Sequence, residues 1–231
     1  MYDEPRFRLA GDRGLLVEFG GTIDPEINRK VRQVFVSLEK RPIDGVTEAI
    51  PTYRSLLVFY DPFQISPEKL RAEISDRERK LDTLEIPLPE TVEIPVAYGG
   101  EFGPDLEFVA RHNNLTPKEV IQIHTSGNYL IYMIGFTPGF PFLGGLSKKL
   151  FTPRLENPRQ LVPAGSVGIA NNQTGVYPID SPGGWQLIGR TPIKLYDPLR
   201  SPPILLKAGN YLKFKRISDD RYVEIAKGQE G

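Results

Sequence analysis

The sequence predicts an α+β N-terminal domain over residues 1–85, followed by a mainly β domain over residues 86–231. In the first domain, strand-like alternation and helical apolar stripes follow one another in the order ββαββα. In the second, residues 135–200 contain ten of the 22 glycines and nine of the 22 prolines, with short strand-like runs between them. Frequent turns between short strands are typical of a β-barrel or a β-sandwich.

Turn and cap residues mark the elements of the first domain. Asp24-Pro25 predicts a helix start, because Asp can accept hydrogen bonds from free backbone N–H groups and Pro fits the first helical position. The apolar stripe of this helix is Ile27, Val31, Val34, Phe35 and Leu38. Ser66-Pro67 begins a charge-dense helix over 67–82, which we interpret as a solvated surface. The strand-like runs are 6–9, 15–19, 46–50 and 55–60, and a proline-containing linker follows over 83–91.

The second domain begins with a predicted strand over 92–96, followed by two short helices over 104–112 and 116–124. From residue 134 onward, short strand-like runs alternate with turns. These runs are 167–170, 176–177, 185–188, 193–196, 211–216 and 222–226. The high proline content favours bends and loops over a flat central sheet.

Composition argues against several classes of protein. Lys and Arg number 29, as do Asp and Glu, and an isoelectric point near 6.8 lacks the basic excess of a general nucleic-acid binder. The longest apolar stretch, 129–136, is far below the ~18 residues that a membrane helix needs. The absence of cysteine suits a cytoplasmic protein, as does the lack of an apolar leader. We therefore expect neither a nucleic-acid nor a membrane partner.

An uncharged aromatic segment over 135–146 is the most unusual part of the sequence. Phe136, Phe140 and Phe142 lie among Pro-Gly turns, where a loop would normally be polar. Such aromatics either plug one end of a barrel or line a groove for a ligand or partner, and physical reasoning favours neither. Trp185, the only tryptophan, follows Gly183-Gly184, a pair that would permit left-handed backbone.

Few charged side chains accompany these aromatics, since residues 135–187 carry only six. The polar groups nearest in sequence are Arg154, Arg159, Gln173, Tyr177 and Arg190. An Arg could bind a carboxylate through its planar fork, or it could tie down a loop through backbone carbonyls. His124, at a predicted helix end, could be an acid–base group or a cap. With His112 as the only other histidine and no thiolate, we expect no metal site.

Motifs of common nucleotide and nucleophile sites are missing from the sequence. No Gly-x-x-x-x-Gly-Lys-Ser/Thr loop and no Gly-x-Gly-x-x-Gly fingerprint occurs. Ala164 breaks the Gly-x-Ser-x-Gly pattern around Ser166. The residues alone therefore indicate a two-domain protein with a nearly neutral, aromatic surface on its β half.

Longer motifs of the second domain resemble a known family, the allophanate hydrolase subunit 1 family. That family includes the B subunit of 5-oxoprolinase and Kip-type inhibitors of a histidine kinase. The motifs are Gly135-Phe-Thr-Pro-Gly-Phe-Pro-Phe-Leu-Gly-Gly-Leu146, Val162-Pro-Ala-Gly-Ser-Val-Gly-Ile-Ala170, Gln173-Thr-Gly-Val-Tyr-Pro178 and Ser181-Pro-Gly-Gly-Trp-Gln-Leu-Ile-Gly-Arg-Thr-Pro192. The chain departs from the family at Phe142, where Tyr is expected, and at Asn210, where Asp is usual.

The resemblance implies a cyclophilin-like β-barrel for the second domain, without prolyl isomerase activity. It implies a non-autonomous subunit of an ATP-dependent 5-oxoprolinase that acts on a small lactam or amide. Its partners would be a related cyclophilin-like C subunit (of the allophanate hydrolase subunit 2 type) and a third, A-type subunit. The complex uses ATP, and this chain has no biotin-attachment Ala-Met-Lys-Met motif. The alternatives are an inhibitor that binds a sensor histidine kinase and a subunit of an allophanate hydrolase or urea carboxylase.

Under this resemblance the aromatic surface has two sets of expected residues. A catalytic lining would stabilise a developing oxyanion and anchor a small carboxylate. Its candidates are His124, Arg154, Gln173, Tyr177 and Arg190. The groove wall, or the contact surface for a partner, would consist of Phe136, Phe140, Phe142 and Trp185.

Overall fold

The computed structural model describes residues 1–80 and 88–229. The chain divides into two compact units, Met1–Leu88 and Pro89–Gly231. Each unit has its own hydrophobic core. The predicted domain boundary between residues 85 and 86 lies outside the described residues, as does most of the predicted linker.

The first unit consists of a four-stranded sheet and two helices in the predicted ββαββα order. Its elements are β1 (Arg6–Leu9), β2 (Gly14–Glu18), α1 (Pro25–Lys40), β3 (Val46–Pro51), β4 (Ser55–Tyr60) and α2 (Pro67–Arg79). The strands lie in the order β1-β2-β4-β3, and every neighbouring pair is antiparallel. Apolar residues of both helices join those of the sheet in one core.

The predicted caps begin both helices of the first unit. The Asp24 carboxylate accepts hydrogen bonds from the N–H groups of Glu26 and Ile27, at 2.8 and 3.2 Å. The Ser66 hydroxyl accepts from the N–H of Lys69 in the same way. Helix α2 buries Leu70 and Ile74, and its other residues are exposed or partly exposed, which agrees with the solvated surface expected for it.

The second unit is mainly β. Its strands are β5 (Thr91–Tyr98), β6 (Tyr129–Ile134), β7 (Pro141–Gly144), β8 (Arg159–Val162), β9 (Ser166–Ala170), β10 (Gln173–Val176), β11 (Ser181–Gly183), β12 (Gln186–Arg190) and β13 (Tyr211–Arg216). Its helices are α3 (Leu106–His112), α4 (Pro117–Ser126) and α5 (Asp219–Gly228), with a short 3-10 turn at Lys148–Leu150.

Seven of these strands form one strongly curved sheet in the order β10-β9-β12-β5-β13-β6-β7. Its two edge strands, β10 and β7, lie against each other, so the sheet is nearly closed into a barrel. β13 runs parallel to β5, with Tyr211 opposite Thr91, whereas the other neighbours are antiparallel. β8 and β11 form a separate two-stranded ribbon. The predicted α+β domain followed by a mainly β barrel is therefore confirmed.

Two strand predictions are wrong. Residues 222–226 belong to helix α5, because the Ser218 hydroxyl caps the N–H of Arg221 and two aspartates occupy the first helical turn. Residues 193–196 form no strand, and only Tyr196 makes an isolated bridge, to Ile204. Across residues 1–80 and 88–229, no helix combines the length and the apolar character needed to span a bilayer.

Candidate functional site

The aromatic segment and the turn before Trp185 enclose a groove in the second unit. The groove has a volume of about 340 Å³. Its lining residues are Phe136, Phe140, Phe142, Arg154, Pro158, Gln173, Tyr177, Pro182, Gly183, Gly184 and Trp185. All four residues expected in the groove wall and three of the five candidate catalytic residues are among them.

Edge-to-face aromatic contacts build the wall of the groove. The Phe140 ring lies 5.8 Å from those of Tyr177 and Trp185, and its interplanar angle with Trp185 is 88°. It also contacts the ring of Phe142 at 5.3 Å. Phe140 is buried, whereas Phe136 at the rim is 75% exposed. The segment therefore both fills space beneath the groove, with Phe140, and lines its surface, with Phe136. The edge-to-face contacts hold the inner rings in place.

Gly183 leaves room for the side chain of Tyr177. A Cβ atom at position 183 would lie 2.4 Å from the Tyr177 hydroxyl oxygen, a distance that no real contact reaches. Neither Gly183 nor Gly184 uses the left-handed backbone that the pair would permit, because neither has a positive φ angle. Gly183 is thus required for close approach of a side chain and not for an unusual turn.

Tyr177 presents a protonated hydroxyl at neutral pH. Burial raises the pKa of this phenol to about 12, and the Arg154 guanidinium and a hydrogen bond from the Trp185 backbone N–H oppose that rise. Because the hydroxyl oxygen already accepts the Trp185 N–H, its orientation is constrained. Its proton can be donated to a group in the groove.

Arg154 and Arg159 lie close together in sequence but have different environments. The Arg159 guanidinium donates to both carboxylate oxygens of Asp105, at 2.8 and 2.9 Å, and to the Trp185 carbonyl at 3.2 Å. Within the described part of the chain, the exposed Arg154 makes no hydrogen bond and no ion pair. Arg159 therefore ties the backbone of Trp185 to Asp105, and Arg154 is available to an anion.

His124 and Arg190 are not brought to the groove. His124 is fully buried, with Nδ1 2.7 Å from the Tyr98 hydroxyl and Nε2 2.9 Å from the Thr174 hydroxyl. Burial lowers its pKa to about 3. The Nε of Arg190 donates to the Ala164 carbonyl at 2.8 Å, so this arginine anchors a loop. Neither side chain is placed to contact a ligand of the groove.

Sequence reasoning did not identify the contributions of Asp105 and Gly183. The partner of Arg159 lies 54 positions away, and nothing local to Asp105 indicates that pairing. Gly183 was singled out for its backbone freedom, although its lack of a side chain is what matters. Among the described residues, no cluster of three His, Asp or Glu side chains could hold a metal ion.

The nearly closed barrel, its aromatic groove and the preceding α+β unit define a two-domain protein of the cyclophilin-like barrel class. The chain belongs to the carboxyltransferase domain family, subdomains C and D, whose sequence profile matches residues 5–206.

Its relatives support the resemblance drawn from the loop motifs. The chain is 49% identical over 222 residues to the 5-oxoprolinase B subunit of Bacillus subtilis (strain 168), covering 92% of each chain. It is 42% identical over 214 residues to the 5-oxoprolinase B subunit of Escherichia coli O157:H7, covering 90% of this chain and 94% of that one. The family resemblance is therefore confirmed.

Solved structures support the fold. TTHA0988 aligns with a TM-score of 0.78 at 38% identity, over 89% of this chain and 40% of its own, so this chain spans less than half of that protein. The urea carboxylase of Kluyveromyces lactis aligns with a TM-score of 0.74 over 96% of this chain and 22% of its own. At 21% identity, this second similarity concerns the fold alone.

Proposed function

We propose that this chain acts as the B subunit of an ATP-dependent 5-oxoprolinase complex and that its groove binds 5-oxoproline. The observation that carries the proposal is an unpaired guanidinium, Arg154, beside a protonated phenol, Tyr177, in an aromatic groove. The chain that presents this groove is 49% identical to a 5-oxoprolinase B subunit over nearly its whole length.

The chemistry of the groove suits a small planar lactam with a carboxylate. A volume of about 340 Å³ lies at the small end of the range for ligand sites. In our proposal the flat ring of 5-oxoproline packs against Phe140 and Trp185, and its carboxylate pairs with the fork of Arg154. The Tyr177 hydroxyl and the Gln173 amide face the lactam carbonyl as hydrogen-bond donors.

Ring opening makes the lactam carbonyl the reacting centre. Water adds to the carbonyl carbon, the C–N bond breaks, and glutamate forms with a new carboxyl group and a free amine. Amide resonance opposes this reaction, so we propose that the complex consumes ATP to activate the carbonyl. Donors that face the carbonyl oxygen stabilise the negative charge that develops there. Tyr177 fits this role, because its raised pKa keeps the phenol protonated at neutral pH.

A second candidate function is docking on a sensor histidine kinase through the same surface. The observation that favours it is Phe136, whose large ring is 75% exposed at the rim of the groove. In the enzyme proposal this ring contacts the C subunit, whereas in the alternative it contacts the kinase. The two functions therefore use one surface and differ in the partner that covers it.

Reconstitution of the enzyme tests the proposal. This chain, mixed with candidate A and C subunits, should release glutamate from 5-oxoproline only when ATP is present. Tyr177→Phe should lower kcat about 100-fold, because it removes one donor to the developing oxyanion. Tyr211→Phe is the matched control, since Tyr211 lies on β13 outside the groove lining and should leave the rate unchanged.

Two results would contradict the enzyme proposal. One is a stable three-subunit complex that releases no glutamate, while this chain alone stops the autophosphorylation of a histidine kinase. The other is turnover of urea or allophanate by the same complex in place of 5-oxoproline. Equal rates for Tyr177→Phe and wild type would leave the complex an oxoprolinase but would remove Tyr177 from its chemistry.

A further inference from the structure

Strand β10 has two faces with different surroundings. Gln173 lines the groove, and a Cβ atom at Gly175 would lie 3.2 Å from the ring of Trp185 and 3.3 Å from that of Phe140. Thr174 and Val176 point the other way, into the barrel, where both are buried. The floor of the groove is therefore the outer face of a strand whose inner face is held by the barrel interior.

On the inner face, Thr174 is the end of a buried hydrogen-bond chain. Its hydroxyl donates to the carbonyl of Gly168 on β9, at 2.9 Å. Since that donation uses its only proton, the hydroxyl must accept from His124 at 2.9 Å, so the Nε2 atom of His124 carries a hydrogen. The Nδ1 atom of this neutral ring then accepts from the Tyr98 hydroxyl on β5, at 2.7 Å.

The surroundings of His124 hold its ring in one orientation. Its ring stacks on Phe214, with centroids 4.5 Å apart and an interplanar angle of 24°. Its carbonyl accepts a hydrogen bond from the Tyr129 hydroxyl at 2.8 Å. Helix α4 carries His124, so one side chain links that helix to strands β5 and β10.

This chain of hydrogen bonds specifies the register of β10. Thr174 lies opposite Ile169 of β9 in the observed pairing. A slip of one residue would turn Gln173 or Gly175 toward His124 in place of Thr174, and the Nε2–H group would lose the hydroxyl that accepts from it. Such a slip would also withdraw the Gln173 side chain from the groove.

We infer that His124 is a positioning residue, which holds Thr174 and thereby keeps β10 in the register that presents Gln173 to the ligand. The inference rests on the proposed function, because Gln173 is one of the donors expected to face the lactam carbonyl. His124 acts through a neighbour and touches no ligand, in contrast to the catalytic role first expected from its sequence.

Paired substitutions separate this role from a general structural one. His124→Phe keeps an aromatic ring against Phe214 but removes both ring nitrogens, whereas His124→Gln retains an N–H donor for Thr174. Thr174→Val removes the hydroxyl that accepts from His124 and keeps the shape of the side chain, whereas Thr174→Ser retains the hydroxyl. His112→Phe is the control, because His112 is exposed on α3.

Turnover by the complete complex is the first measurement. The kcat for 5-oxoproline should fall about tenfold in His124→Phe and Thr174→Val, with KM changed less than about threefold, because a donor to the developing oxyanion is misplaced. His124→Gln, Thr174→Ser and His112→Phe should remain near the wild-type kcat. A folded His124→Phe with the wild-type kcat would overturn the inference, and if that variant does not fold, Thr174→Val decides in the same way.

Amide hydrogen exchange of this chain is the second measurement, and it does not depend on turnover. In His124→Phe, exchange should accelerate at residues 173–176 while β5 and β12 keep their protection. Equal acceleration in all three strands would mean that His124 only stabilises the barrel, and the inference would fail. If the wild-type complex shows no turnover, the proposed function fails, and the exchange pattern alone then decides the positioning role.

Discussion

The groove and the layer of side chains directly behind it differ in how their polar groups are paired. Behind the groove, Asp105 binds Arg159, and both ring nitrogens of His124 have partners. In the groove, Arg154 has no hydrogen bond or ion pair within the described residues, and Tyr177 keeps a proton to donate. Because an unpaired polar group is costly only where water cannot reach it, the open groove can keep groups available for a ligand. The paired groups hold the fold, and the available groups line the open groove.

The largest expected effect comes from breaking the layer behind the groove at Asp105. This carboxylate accepts from Arg159 and, at 2.6 Å, from the N–H of Leu187. Asp105→Ala should lower the free energy of unfolding by about 3 kcal/mol, because a guanidinium and a backbone N–H both lose their acceptor. Chemical denaturation measures this loss, and Asp105→Asn, which keeps one acceptor oxygen, should lose less. A loss below about 1 kcal/mol would contradict a structural role for the pair.

Acid should weaken the same layer through His124. Its pKa is about 3 in the folded protein and ~6.5 in the unfolded chain. Below pH 6.5 the unfolded chain therefore binds a proton that the folded protein does not, and the free energy of unfolding falls as pH drops. Between pH 6.5 and pH 5, His124 should account for a loss of about 1.6 kcal/mol, because the unfolded chain is already half protonated at pH 6.5. Denaturation of wild type and His124→Gln at several pH values measures this loss, and parallel curves would refute it.

In the groove, Arg154→Ala should change binding and leave the fold intact. The dissociation constant for 5-oxoproline should rise about tenfold, because a charge-assisted hydrogen bond to the carboxylate is lost. The free energy of unfolding should change by less than about 0.5 kcal/mol, since Arg154 is exposed and unpaired. Fluorescence of Trp185, the only tryptophan, measures the binding. Arg190→Ala should show the reverse pattern, with lower stability and unchanged binding. If the two variants behaved identically, the assignment of Arg154 to binding and Arg190 to the fold would be contradicted.

The smallest effect is expected at the rim. Phe136 has a φ of 67°, and Asn tolerates this left-handed backbone better than a bulky aromatic residue does. Phe136→Asn should therefore leave the free energy of unfolding within about 0.5 kcal/mol and weaken by about fivefold the association with the C subunit. Surface plasmon resonance measures the association. Phe63→Asn is the control, because Phe63 lies in the first unit and its side chain is 93% exposed. An unchanged affinity of Phe136→Asn would show that the partner does not contact the rim of the groove.

Local signals in the sequence predicted most of the fold. Asp24 and Ser66 cap helices where the sequence places them, because capping depends on neighbouring residues alone. The strand predicted over 222–226 is a helix, since the cap and the acidic first turn preceding it outweigh the strand preference of its Tyr, Val and Ile residues.

The site was predictable to the extent that its residues are close together in sequence or share a neutral environment. The structure brings Arg154, Gln173 and Tyr177 to the aromatic groove, as the sequence suggested. It buries His124, because position 124 lies on the apolar face of α4 as well as near its end. Tertiary packing decides whether a residue at such a position is buried in the core or exposed at the helix end. It also decides the pairing of Arg159 with Asp105, which the local sequence does not indicate.

The parallel pairing of β5 with β13 also has a consequence for synthesis on the ribosome. Tyr211 pairs with Thr91, 120 positions earlier, and β13 separates β5 from β6 in the sheet. The sheet of the first unit is complete once residue 60 has emerged, whereas the barrel must wait for residue 216. During that interval β5 and β6 present unpaired edges, which are the sites where nascent chains aggregate. We therefore expect the folding of the second unit to depend more on translation speed and on chaperones than the folding of the first unit does.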